Sequence, residues 1–139
     1  MFQERLTRAR RLLDRGVLPI PRNIAAMEAK LVDALPEGEG WQFEPKWDGF
    51  RCIALRDGPD VELRAKSGKT LSRYFPEVTA QLLKCRKRAF AIDGELVIPV
   101  GRGLSFDALQ MRVHPAESRI RRLSQTTPAG VKDAPGGPW

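Results

Sequence analysis

The residues of this chain best placed to do chemistry stand between positions 44 and 51, in the order Glu44-Pro45-Lys46-Trp47-Asp48-Gly49-Phe50-Arg51. As an extended strand, this stretch puts Trp41, Phe43, Pro45 and Trp47 on one face and Gln42, Glu44, Lys46 and Asp48 on the other. One face is apolar, and the other sets a lysine between two carboxylates. Asp48-Gly49 reads as a turn, on the ground that glycine accepts positive φ, and a second apolar strand begins at Phe50-Arg51-Cys52-Ile53. Lys46, Asp48 and Arg51 are thereby expected close together. An amine among such charges is a nucleophile only when it has lost its proton, and its reference pKa is ~10.4, so the surroundings must favour the neutral form. The same residues also fit a plain hairpin whose charged ends are solvated.

A second acidic group lies downstream. Over Phe90–Val100 the apolar Phe90, Ile92, Leu96 and Ile98 face one way, and Asp93 and Glu95 face the other. Two acids on one face of a central strand are costly to bury without partners, so they require cations nearby.

The elements that must position these groups follow from patterning. Residues 2–15 read as a basic amphipathic helix, with Phe2, Leu6, Ala9 and Leu13 forming the stripe and Gly16 the stop. Pro19 and Pro21 extend the chain, and a short helix is expected over Ile24–Leu35. A hairpin follows: Arg51–Arg56, the turn Asp57-Gly58-Pro59-Asp60, then Val61–Lys66, whose alternation predicts one wet face. Pro76 and Glu77 suit the first turn of a helix that ends in the basic run Lys84–Arg88, where the cations favour the macrodipole. Ser105 is placed to cap a helix bearing Phe106, Leu109 and Val113, ended by His114-Pro115, and another carries Ala116, Ile120 and Leu123. His114 has no second ligand at a telling spacing and reads as structural. From Ser124 onward the pattern dissolves into a tail rich in proline and glycine.

Composition sets the outer bounds. A chain of 139 residues suits one domain with a real core. It contains no apolar run long enough to cross a membrane and begins with no apolar signal core, which points to the cytoplasm. Cys52 and Cys85 form no metal-ligand cluster. The net charge of +7 makes a phosphate-bearing partner plausible on counterion grounds, although the chain lacks the interleaved aromatics of a single-strand binding platform.

The order Lys46-x-Asp48-Gly49-x-Arg51, followed by Asp93-Gly94-Glu95, resembles the nucleotidyl-transfer motifs of ATP-dependent DNA ligases and their relatives, the RNA ligases and capping guanylyltransferases. The words Phe43–Cys52, Leu71–Glu77 and Phe106–Pro115 resemble the bacterial DNA ligases in particular, over roughly residues 18–130. The resemblance implies an α+β fold, a partial nucleotidyltransferase (adenylation) domain with an antiparallel sheet flanked by helices. It divides the chain into an N-terminal helix (1–17), a partial adenylation domain (18–123) and an irregular tail (124–139).

It also implies chemistry: Lys46 attacks the α-phosphate of ATP to form a lysyl-AMP that later activates nicked DNA, with Mg²⁺ bridging phosphate oxygens. Glu44, Arg51, Lys66 and Glu95 are the nucleotide-binding residues so implied, with Glu95 on the ribose or metal side, and Asp48, Gly49 and Asp93 support them. Lys66 stands where relatives carry an arginine and cannot make arginine's bidentate fork. The family's later motifs, a base-stacking aromatic, a Glu-Gly segment and a lysine pair, are not found here, nor is its OB-fold domain. The departure after Thr127-Pro128-Ala129-Gly130 from the apolar strand of relatives reads as a truncation or altered frame, and the half-built sheet is expected to self-associate through an exposed edge. Two alternatives remain: a non-catalytic nucleotide- or DNA-binding module, and an RNA ligase or capping-type guanylyltransferase.

Overall fold

A computed structural model describes residues 18, 20–26, 32–35, 37–39 and 47–133. The helix expected over 2–15, most of the strand expected over 41–48, and with it Glu44 and Lys46, lie outside the described residues. At the two ends of the helix expected over Ile24–Leu35, the described residues are not helical.

Strand β1 (Phe50–Asp57) turns through Gly58, whose φ of +62° is one that glycine adopts without penalty, into antiparallel β2 (Asp60–Ala65). A short 3-10 turn at Ser72–Tyr74 leads to helix α1 (Pro76–Lys84), and β3 (Ala89–Val97) returns beside β1. Pro99 cannot donate to a ladder, and the strand expected to reach Val100 ends at Val97. A small hairpin of β4 (Pro99–Val100) and β5 (Gly103–Leu104) follows. Helix α2 (Phe106–Arg112) opens on Ser105, whose Oγ accepts from Ala108 N at 3.2 Å. Helix α3 (Glu117–Thr126) follows a turn in which His114 Nδ1 accepts from Ala116 N at 3.0 Å, the structural role expected of it. Strand β6 (Gly130–Asp133) completes an antiparallel sheet of order β2-β1-β3-β6. Among the described residues the fold is therefore an antiparallel sheet with three helices, α+β as expected.

One face of the sheet packs against the helical layer, and on the other Ile53, Leu55, Ala89 and Val97 are buried as well. Cys52, Ala54, Leu63, Phe90, Ile92 and Leu96 point into one core with Phe75, Val78, Leu82 and Leu109 from the helical layer. Phe106 meets Phe50 edge to face, with ring centroids 5.3 Å apart. Cys52 belongs to this core, and burial pushes its thiol up to about 12. It acts as a small hydrophobe. The wet face of β2 is crossed by the segment before it: Arg64 donates to the carbonyls of Arg22 and Ile24, and Arg22 grips Asp57 at 2.8 Å.

Two expectations are corrected. The helix expected to run to Arg88 ends at Lys84, because buried Arg56 takes the carbonyls of Leu82, Cys85 and Lys87 at 2.7–3.1 Å and turns the chain back toward β3. The tail expected to be irregular from residue 124 continues α3 to Thr126 and then forms β6. In the polar last turn the hydroxyls of Ser124, Thr126 and Thr127 turn inward and donate back to the carbonyls of Arg121, Arg122 and Leu123. The ladder to β3 supports a strand too short to show a pattern of its own. Among the described residues no helix is long and apolar enough to cross a membrane.

Candidate active site

Residues opposite one another in an antiparallel pair share a face. The register pairs Arg51 with Glu95 across β1 and β3, and Glu95 with Lys132 across β3 and β6. Asp93, two residues from Glu95, shares that face. The sheet face away from the core thus carries a row of alternating charge: Arg51, Glu95, Lys132. Lys66 follows β2 one position beyond the Cys52–Ala65 pair, which brings it to the same end of the sheet as Arg51, in an exposed turn.

Arg51 and Asp93 form a fork, with Nε to Oδ1 at 2.6 Å and Nη2 to Oδ2 at 2.9 Å. Such a bidentate pair fixes the plane of the guanidinium and satisfies both oxygens of a half-buried acid. Of the two acids, Asp93 therefore has its cation in Arg51. Its neighbour Glu95 differs: Oε2 is buried and, among the described residues, has no hydrogen-bond partner. A buried carboxylate oxygen left without a donor is costly, and a hydroxyl or a cation arriving there would relieve that cost.

The motif around Asp48 lies directly against this acid. A Cβ at Gly49 would stand 2.5 Å from Leu96 O and 3.0 Å from Glu95 Oε2, so only glycine lets the backbone come this close. Gly49 is not in the positive-φ region, which corrects the turn argument: proximity is what requires glycine here. Gly94 has the matching role on the adjacent strand, since a Cβ there would stand 2.4 Å from Lys132 O. Asp48 itself is exposed.

Two neighbours of the site carry no signal in the sequence that marks them. The Lys132 ammonium lies 5.9 Å from the centre of the Trp47 ring, within cation–π range, and closes the row beside Glu95. Lys132 is hidden because β6 has only four residues, and Trp47 reads as no more than a member of an apolar face. No group of three or more His, Cys, Asp or Glu side chains is gathered for a metal among the described residues. A hard divalent ion that shares its coordination with substrate phosphates and water needs only one or two carboxylates, and Glu95 is a suitable oxygen donor.

The junction of the two motifs agrees with the comparison with known proteins. Residues 22–132 match the model of the ATP dependent DNA ligase domain. The chain belongs to this family. It is 46% identical over 112 residues to DNA ligase C of Mycobacterium tuberculosis, covering 81% of this chain and 31% of that protein. To DNA ligase C1 of Mycolicibacterium smegmatis it is 44% identical over 117 residues, with 81% and 34% covered. A bifunctional non-homologous end joining protein LigD of Bacillus subtilis is 34% identical over 93 residues, with 62% and 15% covered. The chain thus spans about a third of the length of the first two relatives. The matched stretch includes Glu44 and Lys46 and the described candidate residues Asp48, Gly49, Arg51, Lys66, Asp93 and Glu95, and it ends on Lys132.

Proposed function

We propose that this chain carries the nucleotidyl-transfer half-site of an ATP-dependent DNA ligase and performs the first step of joining, its own adenylation at Lys46. The observation that supports this most is the closeness of Gly49 to Glu95, which joins the two motifs at one end of one sheet face. In the proposed step the neutral amine of Lys46 forms a nitrogen–phosphorus bond to the α-phosphate. The bond to the bridging oxygen breaks, pyrophosphate leaves, and the amine gives up a proton. Arg51 favours the neutral amine by like-charge repulsion, whereas Glu44 and Asp48 oppose it. Asp93 holds Arg51 in orientation, Lys66 faces phosphate as a point charge, and Glu95 receives a ribose hydroxyl or shares Mg²⁺ with the nucleotide. Bound Mg²⁺ would neutralise charge on the triphosphate. The name of the end-joining relative supports a place in DNA end joining, a form of repair, with nicked DNA as the later acceptor.

Incubation with Mg²⁺ and ATP labelled at the α-phosphate, followed by denaturation, is expected to leave label on the chain and none on Lys46→Ala. ATP binding without label on the parent chain would overturn the enzymatic reading in favour of a binding module, and label from GTP in place of ATP would point to a capping-type enzyme. Self-association belongs to the same reading. The free edge of β6 has no strand partner among the described residues, and paired edges would give a dimer. Sedimentation showing only monomer at high concentration would remove that element of the proposal.

A further inference from the structure

The opposite end of β3 from Glu95 carries a second concentration of charge that the nucleotide site does not use. Lys84, the last residue of α1, and Arg86, Lys87 and Arg88, between α1 and β3, stand within five consecutive residues, and all four are exposed. Helix α1 ends at Lys84, so three of these cations lie beyond any helix whose macrodipole they could offset. None pairs with an acid among the described residues. The nearest acid on the adjoining strand, Asp57, stands opposite Ala89 but is taken: Arg22 grips it at 2.8 Å, Leu18 N donates to it at 3.2 Å, and these contacts hold its carboxyl below the usual range. Asp60 also contacts Arg22, at 3.5 Å.

The loop is held in place from inside. Arg56 Nη1 donates to the carbonyls of Leu82 at 2.8 Å, Cys85 at 2.7 Å and Lys87 at 3.1 Å, and Nε donates to Gly58 O at 3.2 Å. Gly58 N in turn donates to Arg88 O at 2.7 Å. A buried cation therefore draws the loop's carbonyls inward, on a fixed backbone whose charged side chains stand in water. A group of like charges with no acid paired to it among the described residues opposes its own assembly, and a polyanion would relieve that repulsion.

We infer that the Lys84–Arg88 loop is a docking surface for the phosphate backbone of duplex DNA, engaged away from the site of chemistry. Two arginines offer the planar fork that matches phosphate oxygens, and two lysines act as point charges. The loop has no aromatic on which a base could stack, so it fits a duplex backbone and reads no sequence. Six strand positions separate Arg51 from Asp57, which at about 3.3 Å each puts the loop roughly 20 Å from the nucleotide site. This inference rests on the polynucleotide aspect of the reading above and not on lysyl-AMP chemistry.

The test is the salt dependence of binding to a short fluorescent duplex, compared between the parent chain and the variant K84A/R86A/K87A/R88A. The slope of log affinity against log salt is expected to fall by about one for each phosphate no longer neutralised. Adenylation should be unchanged in the variant, because the altered side chains stand far from Glu95. A charge-preserving variant, Arg86→Lys with Arg88→Lys, should retain most of the slope. An unchanged slope in the alanine variant would overturn the inference, as would loss of binding to a polyglutamate peptide with duplex binding intact, which would identify an acidic protein as the partner. A parent chain that takes no label from ATP yet loses duplex binding with the four alanines would uphold this surface and remove the enzymatic reading alone.

Discussion

Arg112→Ala should remove a large share of this chain's stability, an effect out of proportion to one side chain of helix α2. Arg112 is fully buried, with its guanidinium spread over Phe75 at 4.9 Å from the ring centre. Both terminal nitrogens reach the two oxygens of Glu77 at 2.7 Å, and they also donate to Tyr74 O at 2.8 Å and Thr127 O at 3.3 Å. Glu77 in turn accepts from Ala129 N at 2.9 Å, the residue that launches β6. One ion pair therefore ties α1, the turn before it, the end of α3 and the start of β6. Removing the cation leaves a carboxylate desolvated and unpaired, a change that costs about 3–5 kcal/mol. Whole domains are stable by only about 5–15 kcal/mol. Urea denaturation reads the result, and a loss below about 1 kcal/mol, the scale of a surface pair, would show the network to be dispensable. The double variant Arg112→Met, Glu77→Leu separates charge from packing, since replacing both partners by apolar groups is often neutral and should restore some of the loss.

That network also shows where a reading of the sequence stops. The β1–β2 hairpin is legible because Asp57-Gly58 interrupts two alternating runs, and α1 is legible at its start because Pro76 suits a first turn. The acid pair of β3 can be assigned to the face away from Ile92 and Leu96 for the same local reason. Arg56 and Arg112 resist such reading. An arginine in a strand or helix signals solvent, and only partners 26 residues away for Arg56 and 35 for Arg112 reveal that each is enclosed by carbonyls or an acid. The end of α1 depends on Arg56, so local pattern places it at Arg88, too late. Strand β6 depends on β3, so local pattern does not reveal it, nor Lys132 with it. At the site, the order of the motifs is enough to bring Arg51, Asp93 and Glu95 together. Their exact partnership is not legible, since alternation puts both acids on one face without saying which of them Arg51 binds.

The second large effect falls on activity and leaves the fold standing. Gly49→Ala is expected to lower self-adenylation by about a hundredfold or more, the scale that follows when reacting groups are displaced by about 1 Å. The added methyl would lie 2.5 Å from Leu96 O, a backbone atom fixed in the ladder to β1, so the strain must be relieved by moving residue 49 and the motif around it. Little of the core responds, because Gly49 precedes β1 and only the partly buried Phe50 and Arg51 separate it from the first buried residues of that strand. The melting temperature should accordingly change little while label from ATP is lost. Gly130→Ala is the matched control: nothing lies within 4 Å of a Cβ there, and its φ is not in the region that demands glycine. It should label like the parent. Gly94→Ala gives the intermediate case, since its methyl would stand 2.4 Å from Lys132 O and push β6 off β3, taking Lys132 from beside Glu95 but leaving Gly49 in place. Equal labelling by Gly49→Ala and Gly130→Ala would mean that the close approach of the two motifs does not set the reaction geometry. A loss confined to Gly94→Ala would transfer that task to β6.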